Sequence, residues 1–283
     1  MTKFKHEKSQ KSGKSGAQKG ARPFKPRSQP DEGPIWLFGT HAVKAALVNK
    51  RRKAIRLLCT LNARDSLLKD GIPIPFEPED TMPRDIDREI GAGHVHQGIA
   101  MLTDRVVQPR LDQILTSSAH ASESGPRRIV FLDQVTDPQN VGAIMRSAAA
   151  FGARAIVQTS RNGVPETGTL AKTACGAFEV LPLVSVTNLS RALEEVADAG
   201  FLRIGLAGEG TQTPQDIDTS RDLAIVLGAE GKGLRAKTMD TCDHLMRLPM
   251  PGLERLEAMH GIDSLNVSNA AAVTLYALSA NLG

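Results

Sequence analysis

The sequence predicts an α/β protein with a small N-terminal domain and a larger domain built on a parallel sheet. Three apolar runs, Ile129–Leu132, Ala155–Gln158 and Leu223–Leu227, have the length of buried strands and alternate with helical patterns. Strands that alternate with helices form parallel, doubly wound sheets with helices on both faces. With 41% hydrophobic and 23% charged residues in 283, the chain can fill a sizeable core, which excludes a globally disordered protein.

Composition divides the chain into four segments. Residues 1–33 are rich in Lys, Ser, Gly, Gln and Pro, and we predict a disordered basic tail because they cannot bury enough apolar surface to offset chain entropy. Residues 34–106 have the pattern of a small α/β domain, and residues 107–126 that of a polar linker with a short helical pattern. Residues 127–283 make up the larger domain.

The small domain begins with a predicted helix over Gly39–Leu47, with Thr40 as the expected N-cap. Ala54–Cys59 and Gln97–Leu102 are predicted strands. The larger domain adds two predicted helices and one more predicted strand. The first helix is indicated by an apolar stripe of Val141, Ile144, Met145 and Ala148, the second helix covers residues 192–199, and the strand is Phe201–Leu206.

The basic residues are concentrated at the N-terminus. Residues 1–30 hold nine Lys and Arg against one acidic residue, whereas the other 253 residues hold 26 basic and 30 acidic side chains. We predict that the tail makes loose electrostatic contacts with nucleic-acid phosphates. A solubilising tail without a partner is the alternative. A mitochondrial presequence is less favoured, because the cations are mostly Lys and no amphipathic period is present.

Several function classes are disfavoured by simple patterns. No apolar run approaches the roughly 18 residues of a membrane span, and no signal-peptide core follows Met1, so we expect a cytoplasmic protein. Three well-separated cysteines argue against a disulfide framework. His94 and His96 have no third or fourth ligand near them in sequence, and we therefore expect no metal.

The first polar motif follows the strand Ile129–Leu132 and runs into a helix. Loops at the carboxyl ends of parallel strands are where such sheets bind ligands. Asn140 lies at the helix start, where it could be an N-cap or a ligand-binding group. Arg146 lies six residues further on, and the spacing alone leaves open whether it is a solvated surface residue or part of a site.

The second motif, Gly228-Ala-Glu-Gly-Lys-Gly233, directly follows a predicted strand. Glycines there let backbone N–H groups approach a ligand, although a plain turn explains them equally well. The glycine order reverses the dinucleotide fingerprint and comes late in the chain, which disfavours an NAD enzyme. Glu230 inside the loop would need a partner if it were buried.

The third motif joins Leu248-Pro-Met-Pro-Gly252 to the polar cluster Asp263–Ala270 at the start of an apolar helix. Ser264 and Asn266 could cap that helix or present hydrogen-bonding groups to a pocket, and the pattern leaves both open.

Together and in this order, the three motifs resemble the signature motifs of the SpoU/TrmH family of RNA 2′-O-ribose methyltransferases. The patterns Gly39-x-His41 and His96-Gln-Gly-Ile-Ala100 are similar to the subgroup that methylates a guanosine of large-subunit ribosomal RNA. That resemblance covers about residues 34–283 and implies an N-terminal RNA-binding domain, a C-terminal trefoil knot and a homodimer with its active site at or near the subunit interface.

The resemblance also implies S-adenosylmethionine as the cofactor, held largely by main-chain groups near Gly228, Leu248, Met250 and Leu265. It implies five polar residues in catalysis or substrate binding, namely Asn140, Arg146, Glu230, Ser264 and Asn266.

A mechanism follows from the chemistry of the implied reaction. The ribose 2′-hydroxyl loses its proton as it attacks the methyl group, so the protein must position it and stabilise the developing alkoxide. The family is often given an arginine as general base, but a guanidinium resists deprotonation. We therefore expect Arg146 to bind the adjacent phosphate and the oxyanion, with Asn140 and Glu230 orienting it.

One departure and two alternatives accompany this hypothesis. The chain carries an insertion at residues 253–262, where the family usually has a residue or two, and it puts the placement of Met250 in question. The same reaction on transfer RNA is one alternative. A non-catalytic RNA-binding or ribosome-assembly factor is the other, and the complete set of polar residues counts against it.

Overall fold

The structure is a computed structural model, and it describes Met1, residues 33–117, residues 125–252 and residues 264–279. Gly33–Gly283 forms one compact unit of the chain. The predicted disordered tail, part of the predicted linker and the 253–262 insertion lie outside the described residues.

A four-stranded sheet forms from the first part of this unit, in the order β1-β4-β2-β3. β4 pairs antiparallel with both β1 and β2, and the two-residue β3 pairs parallel with β2. The elements are β1 (Ile35–Phe38), α1 (Thr40–Val48), β2 (Ala54–Cys59), α2 (Leu61–Lys69), β3 (Glu79–Asp80), α3 (Pro83–Ile90) and β4 (Ile99–Thr103).

A six-stranded, wholly parallel sheet forms from the rest, in the order β10-β8-β9-β5-β6-β7. The elements are α4 (Leu111–Thr116), β5 (Arg128–Asp133), α5 (Pro138–Ala150), β6 (Ala155–Thr159), α6 (Gly168–Ala174), β7 (Leu183–Val186), α7 (Leu189–Asp198), β8 (Leu202–Leu206), β9 (Leu223–Gly228), α8 (Ala236–Thr241), β10 (His244–Met246) and α9 (Val267–Ser279).

Side chains of the central strand β5 alternate between two apolar layers. Val130 and Leu132 pack with α5, α6 and α9, whereas Ile129 and Phe131 pack with α4, α7 and α8. A strand that is buried on both faces has a continuous apolar sequence, which is why Ile129–Leu132 was recognisable as a strand. The predicted α/β class and the parallel sheet are confirmed.

Two details differ from the prediction. The first helix begins at Thr40 itself, with Gly39 at the N-cap position, because the side chain of Gln97 accepts a hydrogen bond from the Thr40 N–H at 3.0 Å and replaces a local cap. α6 and β7 have no strong sequence pattern, since both are short and are ordered by packing rather than by their own propensity.

No helix in the described part of the chain is long and apolar enough to cross a membrane. The same residues hold no group of three or more His, Cys, Asp or Glu side chains arranged as a metal site. Cys59, Cys175 and Cys242 are free thiols. Burial raises the pKa of the Cys59 thiol to about 11 and that of Cys242 to about 12.

Candidate active site

A cavity of about 610 Å³ opens at the carboxyl edge of the six-stranded sheet. Its walls come from the segments after β8, β9 and β10 and from the start of α9, so four distant stretches of sequence meet there. This is where open α/β sheets bind ligands, since the loops after parallel strands converge at one edge. All four predicted cofactor residues line it, namely Gly228, Leu248, Met250 and Leu265.

The loop after β9 is folded tightly against itself. Ala229 and Gly233 exchange two backbone hydrogen bonds of 3.1 and 2.8 Å. Gly233 has a positive φ of 61°, and a Cβ at Gly228 would lie 2.2 Å from the carbonyl carbon of Gly233. A side chain at Gly228 cannot be accommodated there, so these glycines serve a compact turn that brings backbone groups to the cavity wall.

Three polar side chains form what we call the site cluster: Asn140, Glu230 and Asn266. Glu230 Oε1 accepts hydrogen bonds from Asn140 Nδ2 at 3.2 Å and from Asn266 Nδ2. Asn266 Nδ2 also donates to Asn140 Oδ1 at 3.1 Å. The residues come from α5, the glycine loop and the start of α9, and Glu230 is at the same time part of the cavity wall.

Asn266 fulfils the first of the two roles that its sequence left open, the cap of the helix. Its Oδ1 accepts hydrogen bonds from the Ser268 N–H at 2.9 Å and from the Ser268 hydroxyl at 2.6 Å, which caps the first turn of α9. Its Nδ2 faces Glu230 and Asn140 instead. Ser264 lines the cavity two residues earlier.

Asn140 is not the N-cap of α5. That position belongs to Asp137, whose carboxylate accepts a hydrogen bond from the Gln139 N–H at 3.0 Å. Because Asp137 caps the helix, the Asn140 amide is free to join Glu230 across 90 residues of sequence.

Arg146 stands apart from the site cluster. It is exposed on α5, and its Nη1 donates to Cys175 Sγ at 3.8 Å. Six residues of helix separate it from Asn140 by about 9 Å along the axis and two-thirds of a turn around it. We expected Asn140 and Glu230 to orient Arg146, but among the described residues their hydrogen bonds go to each other and to the start of α9.

An ion pair beneath the site has no local sequence signal. The carboxylate of Asp133, fully buried at the end of β5, accepts hydrogen bonds from the Arg235 N–H at 3.0 Å and from Arg235 Nε at 2.7 Å. This pair ties the end of the glycine loop to the central strand. Its partners lie 102 residues apart, and only their position at the carboxyl edge could have suggested it.

The residues of the cavity fit an amphipathic ligand the size of a nucleoside derivative. Apolar groups of Leu206, Leu227, Val267 and Ala270 form part of the wall, and the glycine loop supplies backbone polar groups. The volume lies within the roughly 300–1,000 Å³ of small-molecule sites.

Comparison with known proteins gives this site a family. Residues 127–276 match the model of the SpoU rRNA Methylase family. The chain belongs to the SpoU rRNA methylase family. Its sequence is 36% identical over 245 residues to the 23S rRNA (guanosine-2′-O-)-methyltransferase RlmB of Pseudomonas syringae pv. tomato, with 85% of this chain and 93% of that protein covered. The protein of the same name from Vibrio cholerae is 37% identical over 254 residues, with 85% and 94% covered.

Solved structures of SpoU methyltransferases share the fold. The SpoU methyltransferase AviRb from Streptomyces viridochromogenes, in complex with the cofactor AdoMet, matches with a TM-score of 0.69 and 22% identity over 88% of this chain and 91% of that one. An rRNA methyltransferase from Sinorhizobium meliloti matches with a TM-score of 0.67 and 20% identity over 89% of each chain.

Proposed function

We propose that this SpoU-family protein transfers a methyl group from S-adenosylmethionine to the ribose 2′-hydroxyl of a guanosine in large-subunit ribosomal RNA. The curated relatives carry the name of this activity on 23S rRNA. The observation that carries the proposal is the double position of Glu230, which lines the cavity and also accepts the hydrogen bonds of Asn140 and Asn266. A ligand in the cavity therefore lies beside the polar groups that can handle a hydroxyl.

Gly228, Leu248, Met250 and Leu265 would hold S-adenosylmethionine, since all four line the cavity. When bound, this cofactor supplies an electrophilic methyl group on a positively charged sulfur. The apolar wall suits the methylene and ring carbons of such a ligand, and the backbone groups of the glycine loop suit its polar edges.

The site cluster positions the hydroxyl. Glu230 Oε1 already accepts several hydrogen bonds, whereas Glu230 Oε2 has no hydrogen bond to the described residues and can accept one from a bound 2′-hydroxyl or from a guanidinium. The amides of Asn140 and Asn266 fix the rotamer of the carboxylate. Arg146, which stays protonated, binds the neighbouring phosphate and the developing alkoxide, while the proton leaves through the phosphate or water.

We propose that the active form is a homodimer. Arg146 does not hydrogen-bond to the site cluster of its own chain, and the partner copy would bring a second Arg146 to it. α9 supports this arrangement because Val273 and Tyr276 expose apolar surface on one side of the helix, 47% and 62% respectively. A mixture of Arg146→Ala and Glu230→Gln chains would recover activity if the two residues act across an interface, and would stay inactive if they act within one chain.

We further propose that residues 34–106 form the RNA-binding domain, residues 107–126 a linker and residues 127–283 the catalytic domain with the C-terminal trefoil knot. The presence of two separate sheets, one within each of the two proposed domains, supports this division. RNA is the proposed macromolecular partner, the basic tail adds phosphate contacts, no metal takes part, and the cytoplasm is the proposed location.

The test is tritium transfer from labelled S-adenosylmethionine to unmodified 23S rRNA and, in parallel, to unmodified transfer RNA. Label in 23S rRNA as 2′-O-methylguanosine, lost in the Arg146→Ala variant, is the expected result. Label in transfer RNA alone would overturn the substrate assignment and keep the chemistry. Cofactor binding without transfer to either RNA, including ribosomal assembly intermediates, would favour a non-catalytic RNA-binding factor.

A further inference from the structure

The two sheets are joined along a contact between α1 and α6. A Cβ at Gly168 would lie 2.4 Å from the Trp36 carbonyl oxygen, and a Cβ at Gly176 would lie 2.8 Å from the Cβ of Ala45. Glycines at both ends of this segment therefore let α6 and the following turn press directly against the small sheet and its helix.

This contact places two cationic side chains and an imidazole, from three different helices, on one surface. Lys172, on α6, packs its side chain over Gly39. A Cβ added to Gly39 would lie 3.2 Å from Lys172 Cγ. His41 is in the first turn of α1, and a Cβ added to Gly176 would lie 3.8 Å from its backbone oxygen. Cys175 precedes that glycine and accepts the hydrogen bond from Arg146. We call the surface formed by His41, Lys172 and Arg146 the cationic seam.

The seam lacks the carboxylates that accompany many of the arginines in the described residues. The side chains of His41 and Lys172 have no hydrogen bond or ion pair to any described residue, and Arg146 donates only to a cysteine sulfur. By contrast, Arg56, like many other arginines of the described surface, binds carboxylates. Unpaired positive groups that are held together create a local potential that attracts anions.

Contacts on both sides of the seam fix its position. Arg52, whose side chain is 1% exposed, forms ion pairs with Glu166 at 2.6 Å and Glu179 at 2.8 Å, and so fastens the end of α1 to the turns that flank α6. At the other end, Gln97 adopts a positive φ of 57° while its side chain holds the Thr40 N–H. Strained, over-determined backbone of this kind is concentrated at functional sites.

We infer that the cationic seam binds phosphates of the RNA substrate next to the methylated nucleotide, with Lys172 as the main new contact. The inference rests on the proposed function, and it adds a substrate-binding residue outside the three sequence motifs. RNA lying along the seam contacts α1 through His41, crosses to α6 at Lys172 and reaches Arg146 on α5. Phosphate, rather than a base, is the group recognised, because a lysine ammonium acts as a point charge without the geometry to read a base edge.

The experiment compares Lys172→Met, Lys172→Arg and Lys237→Met in the full chain. Methionine keeps an unbranched stem over Gly39 and removes the charge, whereas arginine keeps the charge. Lys237 is an exposed lysine on α8, which packs on the other face of the six-stranded sheet from α6, and it serves as the matched control. Binding of a 23S rRNA transcript is measured over a range of salt concentrations, with cofactor binding and thermal unfolding measured alongside.

We expect Lys172→Met to weaken RNA binding about tenfold and to lower the slope of log affinity against log salt by about one. Lys172→Arg should restore the slope, Lys237→Met should leave it unchanged, and cofactor binding should be the same in all four proteins. An unchanged slope in Lys172→Met would overturn the seam and leave the proposed function standing if wild type still methylates the RNA. Wild type that binds RNA with the expected Lys172 effect, yet transfers no methyl group to any RNA, would overturn the function and keep the seam. Wild type that binds no RNA would overturn both.

Discussion

The molecule contains two clusters of polar side chains that join distant parts of the sequence, and they differ in burial. The site cluster of Asn140, Glu230 and Asn266 is open to solvent beside the cavity. One oxygen of its carboxylate takes the hydrogen bonds, and Glu230 Oε2 has none to the described residues. A cluster of this kind holds its geometry and keeps a group free for a ligand.

The other cluster, which we call the buried ion-pair network, consists of Arg52, Glu166 and Glu179. Glu179 accepts two hydrogen bonds from Arg52 Nε and one from its Nη2, and a further one from Asn49 Nδ2 at 2.6 Å. Glu166 forms a close ion pair with Arg52 Nη1 without hydrogen-bond alignment. Burial accordingly raises the pKa of the Glu166 carboxyl, although Arg52 opposes the shift. This network stabilises the contact between the two sheets and presents nothing to a ligand.

The comparison teaches that similar residue types serve opposite purposes according to the water around them. Loss of one partner leaves an uncompensated charge in the buried ion-pair network but only a hydrated one in the site cluster. Substitutions in the first should therefore change folding, and substitutions in the second should change chemistry.

The largest effect is expected from Arg52→Met. It leaves Glu166 and Glu179 buried without their cation, which should lower the free energy of unfolding by about 3–5 kcal/mol in urea denaturation. Arg56→Met is the matched control, since the Arg56 side chain pairs with Glu79 and Glu89 but is 38% exposed, and about 1 kcal/mol or less is expected. Equal losses of unfolding free energy in the two variants would contradict the proposed difference between buried and exposed ion pairs.

Arg146→Ala should reverse that pattern. Its side chain is exposed, so the unfolding free energy should stay near that of wild type, while methyl transfer falls by about 10²–10³-fold with the loss of an oxyanion-stabilising donor. Arg191→Ala, an exposed arginine of α7, is the control and should retain full activity. The idea fails if Arg146→Ala transfers methyl groups at the rate of the control.

Two variants of Asn266 separate capping from chemistry. Asn266→Ala should lose the cap of α9, about 1 kcal/mol of stability, together with activity. Asn266→Asp keeps an oxygen for the cap, so most of the stability lost in Asn266→Ala should be kept. The second carboxylate repels Glu230 and removes a donor, so methyl transfer should still fall about tenfold. Thermal unfolding and initial transfer rates distinguish the two. Parallel losses in both variants would show that the residue serves the fold alone.

The smallest effect concerns pH and Glu166. Because burial raises the pKa of the folded carboxyl above that of the unfolded chain, its stabilising contribution is complete below the unfolded pKa and is lost as pH rises through the folded one. The stability difference between wild type and Glu166→Gln should therefore shift in favour of the variant as pH rises from about 4. Denaturation curves across this range test the sign, and a shift in the opposite direction would show that Arg52 dominates over burial.

Much of the fold could be read from the sequence because strand and helix patterns are local. The spacing of apolar residues in Ile129–Leu132 and in the helical stripe after it indicates which faces are buried, and both elements are found where expected. Short elements such as β7 and α6 have too few residues for a period to show. The cap of α1 was misplaced because its acceptor, Gln97, lies 57 residues away.

The polar residues of the candidate site could be proposed from the sequence, but the contacts between them could not. The three motifs identified Asn140, Glu230 and Asn266, and the structure joins these three. It also separates Arg146 from them, because position around a helix decides which residues share a face. The contribution of Lys172 could not be inferred, since its relevance depends on α6 meeting α1.

The sequence by itself determined the α/β class, the parallel sheet and the family, and it proposed the polar residues of the candidate site, because each depends on residue type and near spacing. Tertiary structure alone decided which of those residues touch, that Arg146 faces Cys175, and that a buried arginine fastens one sheet to the other. The physical reason is range: hydrogen bonds and ion pairs act over a few ångströms in space, and the chain brings residues from anywhere in its length within that distance only when the sheets pack.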